Sequence, residues 1–181
     1  MLFVVGISGT TCSGKTTLAK SLLKTFPKAH YINQDEYFLP IDHKNHVFIP
    51  KLKHNNWELL SSLDMEKLLQ DVQDKLKDDS SSNCNLLIIE GFSLFNYKPL
   101  YEYLNLKFYI TLTKEQCWER RQNRSYDPPD VPGYFEQIVW PQSEIYKKEI
   151  IHDKSIIFFD GTDKSENILF QVTSKIKENL Q

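Results

Sequence analysis

Gly9-Thr10-Thr11-Cys12-Ser13-Gly14-Lys15-Thr16 satisfies the pattern G-x-x-x-x-G-K-[ST] at every fixed position. The glycines let the backbone curl until successive N–H groups point inward at phosphate oxygens. A helix starting at the end of the loop adds free N–H groups and the positive end of its dipole. Lys15 brings a point charge to the β and γ phosphates, and Thr16 offers a hydroxyl to Mg²⁺. The surroundings agree with this reading. Leu2 to Ser8 is a short apolar run suited to a buried strand, and Leu18, Leu22 and Leu23 recur with helical spacing over Thr16 to Lys24. The glycines do not form G-x-G-x-x-G, which excludes the dinucleotide-binding crossover. Cys12 reads first as a small tolerated residue and second as a thiol acidified by Lys15 and the helix start, open to oxidation.

Outward from the loop, strands and helices alternate. His30 to Asn33, Asn85 to Ile89, Lys107 to Leu112 and Ser155 to Phe159 read as buried strands. Asp64 to Lys77 (with Asp64 as N-cap), Lys114 to Arg124, Tyr134 to Ile151 and Ser165 to Leu180 read as helices. Pro40 to Asn56 and Asp127 to Gly133 look irregular, and the polar stretch Lys77 to Asn83 reads as a surface loop. Short apolar strands separated by helices predict an α/β fold: a parallel sheet covered on both faces, with ligands at the carboxyl ends of the strands.

The 181 residues suit one domain spanning 1–181. Lys plus Arg is 22 and Asp plus Glu is 24, a formal charge of -2, which argues against a general nucleic-acid binder. No apolar run approaches the roughly 18 residues of a membrane helix, and Leu2-Phe3-Val4-Val5 is too short for a signal segment. Cys12, Cys84 and Cys117 are far apart and odd in number, so they form neither a disulfide framework nor a metal pattern. A reducing cytoplasm is the expected home, and the protein is expected to work as a monomer without membrane or nucleic-acid partners.

Two carboxylates sit where chemistry is expected. Asp35 follows the strand His30 to Asn33, on the same rim as the phosphate loop, where it accepts the proton of an attacking hydroxyl or holds a Mg²⁺ water. Glu90 closes the aliphatic strand Leu86-Leu87-Ile88-Ile89, the place of a second metal-side acid, and its length suggests contact through a water. Arg120, Arg121 and Arg124 lie close together on one expected helix, with Arg120 and Arg124 on a shared face and Arg121 turned about 100° away. The proline-rich segment after them completes a lid, residues 118–133, that carries arginines over the transferring phosphoryl group. His43, His46 and His54 lack the spacing of a zinc site. From the residues alone, Trp57 reads as a core aromatic beside a solvated Glu58; the sharper alternative is a pocket for a cationic or sugar-bearing ligand.

The chain also resembles nicotinamide riboside kinases. The blocks that carry the resemblance are Gly6-Ile7-Ser8-Gly9 through Lys15-Thr16-Thr17, Gln34-Asp35, Ile89-Glu90-Gly91-Phe92 and Phe95-Asn96-Tyr97-Lys98-Pro99-Leu100. Arg120-Arg121, Tyr126, Pro128-Pro129-Asp130, Pro132-Gly133-Tyr134-Phe135, Val139-Trp140-Pro141 and Asp160-Gly161-Thr162 continue it along nearly the whole chain. The wider family includes uridine kinases.

The resemblance implies a P-loop kinase fold with five parallel strands and a helical lid. It implies ATP and Mg²⁺, with the γ-phosphoryl passing to the 5′-hydroxyl of nicotinamide riboside, and of nicotinic acid riboside as well, to make a mononucleotide for NAD synthesis. Asp35 then corresponds to the base and metal-side acid, with Thr16 and Glu90 beside it at the metal. Lys15 and Arg120 complete the catalytic set. Thr17, Arg120, Arg124 and Tyr126 join the loop at the nucleotide. Asp35, Phe38, Trp57, Glu58, Arg121, Tyr126 and Asp127 fall on the substrate side. Trp57 and Glu58 stand where the family usually has Tyr and Asp, the aromatic stacking on the nicotinamide and the acid holding ribose hydroxyls. Two other readings stand beside this one: a uridine or cytidine kinase, and an inactive nucleotide-binding module.

Overall fold

A computed structural model describes residues 2–77 and 85–180. The order is β1 (Phe3–Gly9), α1 (Lys15–Thr25), β2 (His30–Asn33), β3 (Phe48–Ile49), β4 (His54–Asn55), α2 (Met65–Lys77), β5 (Leu86–Glu90), α3 (Lys98–Tyr101), β6 (Leu106–Thr111), α4 (Lys114–Arg121), α5 (Trp140–Ile150), β7 (Ile156–Asp160) and α6 (Ser165–Asn179). Among the described residues, five strands form one sheet in the order β2-β5-β1-β6-β7, every neighbouring pair parallel. The expected P-loop kinase architecture is therefore present.

Side-chain alternation builds two cores from the same strands. Val5, Ile7, Leu86, Ile88, Phe108 and Ile110 face α1 and α6, whose Leu18, Leu22, Ile168 and Val172 are fully or nearly fully buried. Val4, Leu87, Ile89 and Tyr109 face the other way, against Leu68 and Val72 of α2, Leu100 of α3 and Ile150 of α5. A third, smaller cluster (Leu112, Cys117, Tyr134, Phe135 and Val139) sits under the segment that follows α4.

Most expected elements lie within a few residues of their expected ends. Asp64 caps α2 as read, its Oδ1 accepting from the Lys67 amide at 2.9 Å. Thr113 and Gln116 form a reciprocal capping box that starts α4. Three readings need correction. α4 ends at Arg121 rather than Arg124, closed by a tight turn in which the Arg124 N–H donates to the Arg121 carbonyl at 3.0 Å. The expected helix from Tyr134 begins as a wide π-type turn over Phe135–Val139 before α5 proper. The irregular segment from Pro40 contains the antiparallel pair β3–β4, too short for an alternation signal. The expected loop after Lys77 falls, through Asn83, outside the described residues.

Candidate active site

Gly9 begins the phosphate loop at φ +150°, and a Cβ there would stand 2.3 Å from the Ile110 carbonyl oxygen; only glycine lets β1 leave the sheet so close to β6. Cys12 and Gly14 also have positive φ, 58° and 99°, which curls the chain before α1. The Lys15 ammonium donates to the carbonyls of Gly9 at 3.2 Å and Thr10 at 2.8 Å, across the mouth of the loop. Burial lowers its pKa, with Asp35 and Glu90 opposing that shift.

The loop, the turn after β2, the end of β5 and the segment after α4 surround a cleft that opens to solvent. Gly9, Thr11, Cys12, Lys15 and Thr16 line it from the loop, Asp35 and Phe38 from the turn, and Glu90 from β5. Trp57 and Glu58 form another wall, and Arg121, Arg124, Tyr126 and Asp127 the lid side. The remaining expected residues lie elsewhere. Thr10 is buried under the loop. Ser13, Gly14, Thr17 and Arg120 line a second hollow continuing to Gly161 and Asp163, and Gly14, Thr17 and Arg120 also share a hollow beside the loop with Cys12, Lys15, Thr16 and Arg124.

At the end of the cleft beside α1, the Thr16 hydroxyl donates to Glu90 Oε2 at 3.0 Å, and the Tyr31 hydroxyl to Glu90 Oε1 at 2.6 Å. Burial and the Glu90 carboxylate raise the Tyr31 pKa, so Tyr31 stays a donor. Asp35 is exposed to the cleft in the helical turn Gln34–Tyr37, its amide donating to Asn33 Oδ1 at 3.0 Å. The donor set of Thr16, Asp35 and Glu90 is all oxygen, which fits Mg²⁺.

The opposite wall is built from distant pieces. The Trp57 backbone N–H donates to the Tyr134 hydroxyl at 2.8 Å, and the Tyr146 hydroxyl donates to the Glu58 backbone carbonyl at 2.9 Å. The Trp57 ring stands edge-on to Phe38 at 5.7 Å, and the His46 ring tilts against it at 4.4 Å. Glu58 is not solvated, contrary to the reading from its neighbours in sequence. Its side chain is 15% exposed, and burial pushes its carboxyl up to about 6, with Arg121 opposing and Asp130 and Asp35 adding.

Arg121 is nearly fully buried. It donates through Nε and Nη2 to the two Asp130 oxygens at 2.6 and 2.9 Å, and through Nη1 to the Thr11 hydroxyl at 2.8 Å. Its Nη2 lies 3.6 Å from Glu58 Oε1, and its guanidinium sits 4.2 Å over the Tyr126 ring. Arg120 turns away, donating to the carbonyls of Cys12 at 3.3 Å and Gly161 at 3.0 Å. Because α4 stops at Arg121, Arg120 and Arg124 do not extend one helical face: Arg124 points to the Cys12 sulfur at 3.8 Å. Burial raises the Cys12 pKa, but hydrogen bonds from Tyr126, Thr11 and Arg124 outweigh it and lower the net value. The thiol is acidified, as read, and Lys15 interacts with it electrostatically, but the contacts from Tyr126, Thr11 and Arg124 are the larger causes.

Tyr31, Asp130, Tyr134 and Tyr146 were not picked out as functional from the sequence. Asp130 and Tyr134 lie in the Pro-Pro-Asp and Pro-Gly-Tyr-Phe blocks, which marked them without showing what they touch.

Residues 5–141 match the model of the AAA domain family. Nicotinamide riboside kinase 1 of Mus musculus is 38% identical over 190 residues, covering 99% of this chain and 96% of its own length. Nicotinamide riboside kinase 2 of Homo sapiens is 34% identical, covering 99% and 83%. The chain belongs to the nicotinamide riboside kinase family. As a member of that family it is a P-loop kinase of nucleosides or related small molecules. The fold itself is shared more widely: a possible uridine kinase from Bacillus stearothermophilus superposes with a TM-score of 0.58 at 17% identity, covering 87% of this chain and 89% of that one. For this nicotinamide riboside kinase family chain, no helix among the described residues is long and apolar enough to cross a membrane.

Proposed function

We propose that this kinase transfers the γ-phosphoryl group of ATP to the 5′-hydroxyl of nicotinamide riboside, and of nicotinic acid riboside as well, making the mononucleotides used for NAD synthesis. The observation that carries the reading is the wall of Trp57 and Glu58 in the same cleft as Lys15 and Asp35. A pyridinium base is a cation, and the indole face attracts cations more strongly than other aromatic faces. A neutral pyrimidine gains nothing comparable there. The names of the family relatives point the same way.

Asp35, open to the cleft, takes the hydroxyl proton or orients the hydroxyl for in-line attack. Lys15 leaves its loop carbonyls to meet the β and γ phosphates, while Arg124 and Arg120 approach the nucleotide from the lid side. Thr16, Asp35 and Glu90 would hold Mg²⁺, which would supply charge neutralisation on the phosphate oxygens. Glu58 accepts ribose hydroxyls, and Phe38, Tyr126 and Asp127 bound the substrate. The working unit in this reading is a monomer.

A coupled ADP-release assay with Mg²⁺ and ATP tests the reading, on nicotinamide riboside, nicotinic acid riboside, uridine and cytidine. Turnover favouring the two pyridine nucleosides is expected. Turnover confined to the pyrimidines would overturn the substrate while keeping the kinase.

A further inference from the structure

Asp130 lies in the irregular segment beyond α4, and both its carboxylate oxygens are engaged by one buried guanidinium. That guanidinium has three other neighbours: the Thr11 hydroxyl on the phosphate loop, the Glu58 carboxylate on the acceptor wall and the Tyr126 ring. The two contacts to carboxylates are unequal. Asp130 takes the short, two-pronged pairing, and Glu58 is left at 3.6 Å, beyond a good hydrogen bond. An arginine free to choose would pair just as well with Glu58, and would then cover the oxygens that face the cleft.

We propose that Asp130 is a positioning residue: by holding Arg121 in a bidentate pair, it keeps the guanidinium off Glu58 and leaves that carboxylate aimed into the cleft for the nucleoside. Asp130 borders the same cleft, and the role assigned to it is exerted through Arg121. The proposal rests on Glu58 being the group that meets the sugar. The charged groups facing Glu58 are Arg121 at the end of α4, Asp130 beyond it, Asp35 after β2 and Lys15 at the start of α1. Removing the Asp130 charge withdraws one like charge, and releasing Arg121 brings an opposite charge nearer. Both changes favour ionised Glu58.

The test compares wild type, Asp130→Asn and Asp130→Glu as full-length proteins. Asparagine is nearly isosteric but leaves Arg121 without its anion; glutamate keeps the anion. In Asp130→Asn, KM for the nucleoside should rise about tenfold, the scale of a lost charged hydrogen-bond pair. KM for ATP should stay within about twofold. The midpoint of Glu58 ionisation, followed by carbon NMR on the substrate-free protein and assigned with Glu58→Gln, should fall by about one pH unit. Asp130→Glu should restore most of both effects.

The NMR readout needs no substrate, so it stands even if nicotinamide riboside is not turned over. In that case the proposed substrate falls, and the kinetic comparison is made on whichever nucleoside wild type does phosphorylate. An unchanged Glu58 midpoint would overturn the proposal. So would equal rises in both KM values, a melting temperature lowered as much in Asp130→Glu as in Asp130→Asn, or identical kinetics in the two variants; these mark a merely structural residue.

Discussion

The Thr16 hydroxyl donates to Glu90 Oε2 at 3.0 Å, tying the first turn of α1 to the carboxyl end of β5. The same carboxylate accepts from Tyr31 on β2, so one acid links a helix and two neighbouring parallel strands at the rim beside the phosphate loop. Substituting Glu90→Gln keeps the shape and removes the charge. Activity should fall about 10- to 100-fold, the usual cost of disturbing groups that orient a metal site. The Mg²⁺ concentration needed for half-maximal rate should rise with it. A titration of rate against Mg²⁺ checks this; an unchanged midpoint would remove Glu90 from the metal's surroundings.

Asp35 is exposed, so little of the fold leans on it. Asp35→Ala should lower kcat by about 10²- to 10⁴-fold, the range for a lost general base, while the melting temperature stays put. Single-turnover rates beside a thermal melt check both halves. Near-normal turnover would take Asp35 out of the mechanism.

Trp57 offers its ring to the cleft while Phe38 and His46 brace it. Trp57→Ala should raise KM for nicotinamide riboside about ten- to thirty-fold, the worth of a desolvated cation–π contact. KM for ATP should change much less. Steady-state kinetics on both substrates is the check, and equal changes would contradict the stacking role.

Glu58 has a folded pKa of about 6, above its ordinary 4.5, because burial disfavours its charge. The folded protein therefore holds this proton more tightly than the unfolded chain. Glu58 is neutral in both states below about 4.5, and its ionisation then costs stability as pH rises through about 6. The cost levels off near 2 kcal/mol, roughly, above that window. Glu58→Gln should thus stabilise the protein at pH 7.5 while raising KM for the nucleoside. In wild type, kcat/KM for the nucleoside should decline as pH falls through about 6, and the variant should lose that acid limb. Denaturant melts and pH–rate profiles on both proteins check the two signs.

Cys12 is partly exposed in the cleft, and its pKa is lowered by Tyr126, Thr11 and Arg124 against the pull of burial. Cys117 is buried and its pKa is raised, chiefly by burial. A small thiol reagent should therefore inactivate the enzyme at Cys12, with Mg-ATP protecting. Cys12→Gly, which suits the positive φ at that position, should be resistant. Activity that survives complete labelling of Cys12 would sink this expectation.

The phosphate loop, the strand-end acids and the alternation of strands and helices were legible because each is local. Gly9 to Thr16 specifies its curl through its own backbone, and Leu86-Leu87-Ile88-Ile89 declares a buried strand through its own composition. The β3–β4 pair, at two residues a strand, is shorter than any periodicity can register. The end of α4 was misjudged because Arg120 to Arg124 is good helix sequence, and propensity carries no mark for a turn that brings Arg124 to Cys12.

What the sequence by itself determined is the nucleotide-handling half of the protein: a phosphate-binding loop between a buried strand and a helix, with Asp35 and Glu90 at the ends of strands. The chemistry there belongs to residues adjacent in the chain or fixed by sheet register. What only the tertiary structure decided is the state of the acceptor wall. Glu58 reads as a surface acid beside Asn56 and Trp57. It becomes a buried carboxyl with a raised pKa only when Tyr146, Arg121 and Asp130 arrive from later elements. Desolvation and charge pairing depend on distance in space, and nothing in a string of residues states which side chains will share a cleft.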